Sequence, residues 1–268
     1  MDQNQSVPLS TTSAELLQAQ AKLWCHAYRY VESMALKSAI DLGIPKAIHR
    51  NNGSASLPEL LAALPLATNK KRFLSRLMRL LVTSGIFTQE TSVHGTTSVY
   101  RLTATSRLLV DGIFVNLTSF VNGPTTPNPL DAFLRLGEWF QNDGDTTPFT
   151  MVNGSDFWDA ISHDARVNMG FNAAMASDSH FVAEIAIREY AETFMSIRSL
   201  VDVGGGDGTM ARTIVKAFPH IKCLVLDQPH VVHGIPNVDM VEYVAGDMMD
   251  FIPPADVVLL KIHIVRVP

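Results

Sequence analysis

Leu200-Val201-Asp202-Val203-Gly204-Gly205-Gly206-Asp207-Gly208-Thr209 is the stretch whose reading decides the fold. Its apolar start reads as a buried strand and its glycines as a tight turn. Met210, Ile214, Val215 and Phe218 then recur at helical spacing until Pro219 ends the helix. A glycine-rich turn from strand to helix lets backbone N–H groups come close to a bound group. The dinucleotide fingerprint Gly-x-Gly-x-x-Gly is not met, because counting from Gly204 finds Gly206 and then Thr209. What stands there is an acid, Asp202, two residues before Gly204, followed by glycines at 204, 206 and 208.

Downstream the strand–helix pattern repeats. Cys223–Leu226 reads as a second strand ending at Asp227, and Val241–Val244 as a third ending before Gly246-Asp247. Asp256–Leu260 reads as a fourth, apolar enough to be covered on both faces. This is half of a doubly wound parallel sheet, whose ligands bind beyond the carboxyl ends of the strands. Asp227 lies about 20 residues after the turn, where a carboxylate can accept from both hydroxyls of a ribose. Asp247 can receive an adenine amino group while Met248 packs on the ring. Each acid read singly is also an ordinary turn residue. Together with the turn, the spacing favours an adenosine-containing ligand, and the acid-x-Gly-x-Gly-x-Gly order is the form associated with S-adenosylmethionine.

Working outward, the 268 residues are 47% hydrophobic and 18% charged, enough for a large core or two modest ones, and they leave no room for long disorder. A net charge of −5 argues against a general nucleic-acid binder. Cys25 and Cys223 lie far apart, so neither a disulfide framework nor a metal site is expected. No apolar run is long enough to cross a bilayer, and residues 1–13 lack the apolar core of a signal peptide. These features predict a cytoplasmic protein.

The first hundred residues read as helical. Thr12 and Glu15 form a capping box before Leu16, Leu17, Ala21, Trp24, Ala27, Tyr28 and Val31. A second segment, Met34 to Leu42, stops at Gly43 and Pro45. Ser56 and Glu59 open a short helix over 57–63. The next, over 70–82, places Phe73, Leu74, Leu77, Leu80 and Leu81 on one face. Ile86-Phe87, a polar turn through Gly95, and Val99–Leu102 then suggest a two-stranded wing, completing a winged-helix module. Lys70, Lys71, Arg72, Arg76 and Arg79 invite a DNA-binding reading, but a solvated face opposite an apolar stripe explains them more simply. Residues 110–155 look irregular, and helical spacing returns from Phe157 to Phe194. Within it His163-Asp164 resembles a catalytic dyad, yet a helix-start pair near solvent is the plainer account.

Several ordered motifs then converge. Val201–Gly208, Leu226-Asp227-Gln228-Pro229-His230-Val231-Val232, Gly246-Asp247-Met248 and Leu260-Lys261 resemble the successive motifs of plant small-molecule O-methyltransferases of the caffeic-acid and flavonoid type. Phe171-Asn172-Ala173-Ala174-Met175 is similar to the segment of that family lining the acceptor pocket, and Leu77–Gly85 with Tyr100–Thr103 resemble its dimerisation region. The resemblance implies a winged-helix dimerisation domain over 14–110 and a Rossmann-like α/β domain over 111–268. It implies S-adenosylmethionine contacts at Gly204, Asp227, Asp247, Met248 and Lys261. Phe171 and Met175 would border a phenolic acceptor, although core packing would explain them as well. A homodimer through the N-terminal domain, no metal, no nucleic acid and no membrane complete the expectation.

The chain departs from that pattern after Lys261. Where the family continues Trp-x-x-His-Asp-Trp, with the histidine as general base, this sequence reads Ile262-His263-Ile264-Val265-Arg266-Val267-Pro268. Val265 takes the base position and cannot accept a proton. On a continuing strand His263 would fall about 6.6 Å short of it, beyond hydrogen-bond reach. The sequence reading therefore expects a C-terminally truncated relative with no catalytic base, its fourth strand left as an edge, and either little activity or a role as a non-catalytic dimerisation partner.

Overall fold

Thr12 ends the polar start of the chain by capping a long helix, α1 (Ser13–Asp41). Its hydroxyl accepts the Glu15 N–H at 3.2 Å, and the Glu15 carboxylate accepts the Thr12 N–H at 2.7 Å. The computed structural model describes residues 11–91, 98–237 and 240–261. The chain divides into two units, residues 1–107 and 108–268.

In the first unit the two helical segments expected before Gly43 are one helix. The polar pair Glu32-Ser33 does not interrupt it, because neither residue blocks the backbone bonds as proline does. Gly43, at φ +73°, ends it and starts α2 (Ile44–Arg50). Next come β1 (Ser54–Ser56), α3 (Leu57–Ala63) and α4 (Leu74–Thr83), then β2 (Phe87–Thr91) and β3 (Ser98–Leu102). Ser56 and Glu59 close α3 as a capping box. Among the described residues the wing has three antiparallel strands in the order β1-β3-β2, one more than the sequence predicts. β1 was missed because three small residues carry no alternating pattern. The expected turn through Gly95 lies outside the described residues. Ile44, Ile48, Leu60, Met78, Leu81 and Phe87 form the centre of this core. The expected helix over 70–82 begins as a 3-10 turn, residues 68–73. Phe73, placed on its buried face by spacing, is instead partly exposed, with the guanidinium groups of Arg72 and Arg76 at 4.7 and 5.9 Å from its ring centre.

The second unit begins with short helices at 118–122, 127–134, 136–139 and 148–153, where the sequence looked irregular. α5 (Phe157–His163) and α6 (Ala165–Glu189) follow. Asp164 caps α6 by accepting the N–H groups of Arg166 and Val167, and His163 Nδ1 lies 2.8 Å from the Asp159 carbonyl. That pair therefore serves a helix junction. The sheet contains β4 (Ser199–Val203), β5 (Lys222–Asp227), β6 (Val241–Ala245) and β7 (Val257–Leu260), all parallel, in the order β6-β5-β4-β7. α7 (Thr209–Ala217) crosses between β4 and β5, burying Met210, Ala211, Ile214 and Val215. The strand order reverses between β4 and β7, which places the crevice of such a sheet there.

Leu200, Val201, Cys223 and Val225 are wholly buried. Burial, and then the nearby Asp202 charge, push the Cys223 thiol up to about 12. The carboxylate of Asp256 accepts the N–H groups of Arg198 and Ser199, tying the entry of β7 to that of β4. The expectation that the fourth strand is covered on both faces is corrected. Val257 and Leu259 pack on the core, whereas Val258 and Leu260 are 47% and 63% exposed. Among the described residues β7 is an edge strand.

Candidate functional site

The carboxyl ends of β4, β5 and β6 gather the acids predicted from the sequence. Beyond β4 the chain turns through Gly204, Gly206 and Gly208 at φ +67°, +58° and +75°, a region L side chains rarely adopt. The Gly204 N–H donates to the Leu226 carbonyl at 2.8 Å, and the Gly206 N–H donates to Asp227 Oδ2 at 2.8 Å. Asp227 thus holds the turn while its other oxygen accepts the Gln228 N–H at 2.7 Å. The Gly246 N–H donates to the Asp227 carbonyl at 3.0 Å, which brings Asp247 to the same edge. Asp247 Oδ1 accepts the Met249 N–H, and Met248 is partly exposed beside it.

Gly205 and Asp202 carry information that the motif alone conceals. A Cβ on Gly205 would lie 2.7 Å from the Asp202 carboxyl carbon and 2.9 Å from Val225 Cγ1, so glycine is required here by contact and not by φ. Beneath it Asp202 is 2% exposed, and its Oδ2 has no hydrogen-bond partner. Burial pushes this carboxyl up to about 7, helped by the charges of Asp227 and Asp207 and opposed by Lys261. The sequence placed Asp202 in the motif; its burial comes with a central strand, where Val225 and Leu259 are its partners on either side.

Lys261 follows β7 on the far side of the crevice. Its ammonium lies 2.6 Å from Asp178 Oδ2 and 3.2 Å from Ser179 Oγ, both on α6. The ion pair therefore ties the acceptor helix expected from the sequence to the end of the sheet. Met175, one turn earlier on α6, is half-buried. Phe171 is drawn into an aromatic cluster, edge-on to Phe157 at 5.6 Å and to Trp158 at 5.7 Å, with Phe149 against Phe157. These aromatic partners were not singled out from the sequence, although Phe157-Trp158 is visible there. The structure thus unites Gly204, Asp227, Asp247, Met248 and Lys261 along one sheet edge and places Phe171 in a separate aromatic cluster. His263 and Val265 lie outside the described residues. Among the described residues no group of acids, histidines or cysteines could hold a metal ion, and no helix is long and apolar enough to cross a membrane.

Comparison with known proteins identifies the family and the fold. A family model described as an O-methyltransferase domain matches residues 133–265, and one described as an O-methyltransferase dimerisation domain matches residues 24–112. Chavicol O-methyltransferase of Ocimum basilicum is 41% identical over 257 residues, covering 96% of this chain and 72% of its own length. Trans-resveratrol di-O-methyltransferase of Vitis vinifera is 43% identical over 250 residues, covering 93% and 70%. Among solved structures, the pyocyanin biosynthetic protein PhzM aligns with a TM-score of 0.70 at 26% identity, over 91% of this chain and 71% of that one. Human N-acetylserotonin methyltransferase in complex with SAM aligns at 0.67 and 18%, over 90% and 70%, a likeness of fold.

Proposed function

The chain belongs to the plant O-methyltransferase family of the caffeic-acid and flavonoid type, and on that premise we propose that it binds S-adenosylmethionine at the carboxyl edge of its parallel sheet and presents it to a small hydroxylated aromatic. The observation that carries this reading is the pairing of the Asp227 carboxylate with the Gly206 N–H, above the buried, unpartnered Asp202 oxygen. Three left-handed glycines let the backbone of the turn approach a ligand closely, and the Asp227 and Asp247 side chains at the same edge suit a ligand that carries positive charge. We assign Gly204, Asp227, Asp247, Met248 and Lys261 to the cofactor, Phe171 and Met175 to the acceptor, residues 14–110 to a homodimerising domain and 111–268 to the domain for chemistry.

When bound, S-adenosylmethionine supplies a sulfonium methyl group to the acceptor oxygen. Asp227 would accept hydrogen bonds from ribose hydroxyls, and Asp247 one from the adenine amino group, with Met248 against the ring. Lys261, held by Asp178, fixes the distance between α6 and the sheet, so that acceptor and donor meet in line. Deprotonation of a phenol needs a base within about 3 Å, and the position that carries histidine in the family is Val265 here. We therefore propose that this 268-residue chain binds the cofactor but transfers methyl groups poorly.

Calorimetric titration separates the readings. The chain is expected to bind S-adenosylmethionine and not NAD, with Asp227→Ala weakening binding about a hundredfold. Binding of NAD, or of neither, would overturn the cofactor assignment. Turnover of labelled S-adenosylmethionine on phenolic acceptors, abolished by Asp227→Ala, would overturn the poor-transfer part alone. The exposed apolar residues of α1, Leu16, Leu17, Leu23, Trp24 and Tyr28, favour a second reading, a non-catalytic dimerisation partner of a complete methyltransferase. Co-purification of the two chains with altered turnover in the complete enzyme supports it, and separate elution rejects it.

A further inference from the structure

The outer side of the glycine turn is held by residues that no motif contains. Tyr243, on β6, donates its hydroxyl to the Asp207 carbonyl at 2.8 Å and accepts from Arg212 Nη1 at 2.7 Å. The same Nη1 donates to the Asp207 carbonyl, so phenol and guanidinium converge on one oxygen. Arg212 Nη2 reaches Thr209 Oγ1 at 3.1 Å and Asp207 Oδ2 at 3.3 Å. On the other side of the peptide, the Gly208 N–H donates to the Gly205 carbonyl at 3.0 Å.

A peptide unit is planar, so holding its carbonyl fixes the direction of its N–H. The Asp207–Gly208 peptide is gripped at both ends. This sets the conformation of the segment on which the cofactor site depends, including the Gly206 N–H that Asp227 accepts. The Tyr243 ring also accounts for Gly208: a Cβ there would collide with its hydroxyl and lie 3.0 Å from its Cε1. The third glycine is thus required by Tyr243 as well as by its φ of +75°.

We propose that Tyr243 and Arg212 are positioning residues for the cofactor turn, acting together on the Asp207 carbonyl. The inference rests on the cofactor assignment above. It predicts that removing either group leaves the fold intact but loosens the turn, so that binding must order it.

The experiment is a double-mutant cycle on S-adenosylmethionine binding by the full chain, using Tyr243→Phe, Arg212→Met and the double variant, with thermal unfolding of each. Each single change is expected to weaken binding about fivefold while the unfolding midpoint stays close to the parent's. Because both act on one oxygen, the double variant should lose no more than about tenfold, short of the roughly twenty-five-fold that independent losses would multiply to. Affinities within twofold of a parent that binds, or losses that multiply fully, would overturn the inference and leave the cofactor assignment standing. A parent that does not bind S-adenosylmethionine would overturn both.

Discussion

Strand β4 and the first half of helix α1 are both rich in apolar side chains, yet they meet opposite surroundings. In β4, Leu200, Val201 and Val203 are 0–3% exposed; Leu200 packs with Met210, Ala211 and Ile214 of α7 on one face, and Val201 and Val203 cluster with Leu226 of β5 on the other. In α1, Leu16, Leu17, Leu23 and Trp24 are 59–68% exposed, and the buried residues of the helix, Ala35 and Ala39, come near its end. The difference teaches what each segment needs. β4 finds its cover within its own unit, as a central parallel strand must. α1 keeps its shape through length and its capping box, and its apolar stripe calls for a second surface. Of these four exposed residues Trp24 lies within the match to the dimerisation domain, residues 24–112, and the other three precede it.

Substitutions can break or sharpen this contrast. The largest effect is expected from Val201→Asp, which buries an unpaired charge and should cost on the order of 5 kcal/mol or more. Urea denaturation would check it, and a stability near the parent's would mean that β4 is less enclosed than described.

Asp202 tests the same enclosure by titration. Its folded pKa is raised from 3.8 to about 7. The folded state therefore keeps its proton after the unfolded chain has lost it, and stability falls as pH rises between those values. A shift of about three units corresponds to roughly 4 kcal/mol as an upper figure. Denaturation at pH 5 and at pH 8 should show a drop in the parent that is reduced in Asp202→Asn. Parallel behaviour would show that Asp202 is not desolvated.

The smallest effect on stability, within about 0.5 kcal/mol, is expected from Trp24→Ser, since the indole covers little within its own unit. Its consequence should appear in sedimentation, as a shift from dimer towards monomer. An unchanged dimer would move the association surface away from this stripe.

Much of the architecture was legible because it is local. The capping boxes at Thr12 and Ser56, the glycine turn and the acids ending β5 and β6 are set by residues a few positions apart. What escaped the sequence depends on distant partners. Asp202 is enclosed beside Val225, its register partner 23 positions on, and Tyr243 reaches a carbonyl 36 positions away. Phe73 illustrates the reverse error, since helical spacing assigned it to the core while two neighbouring guanidinium groups hold it near solvent. Lys261 could be picked out by its motif, but its partner Asp178 lies 83 positions earlier on another element.

The buried Cys223 has a consequence for chemical labelling. Its thiol is enclosed and pushed to about 12, so it offers almost no thiolate to an alkylating reagent. Cys25 is exposed and adjoins Trp24 on α1. A maleimide added to the native protein should therefore mark one cysteine and spare the other. The rate at that single position becomes a footprint of whatever covers the first half of α1.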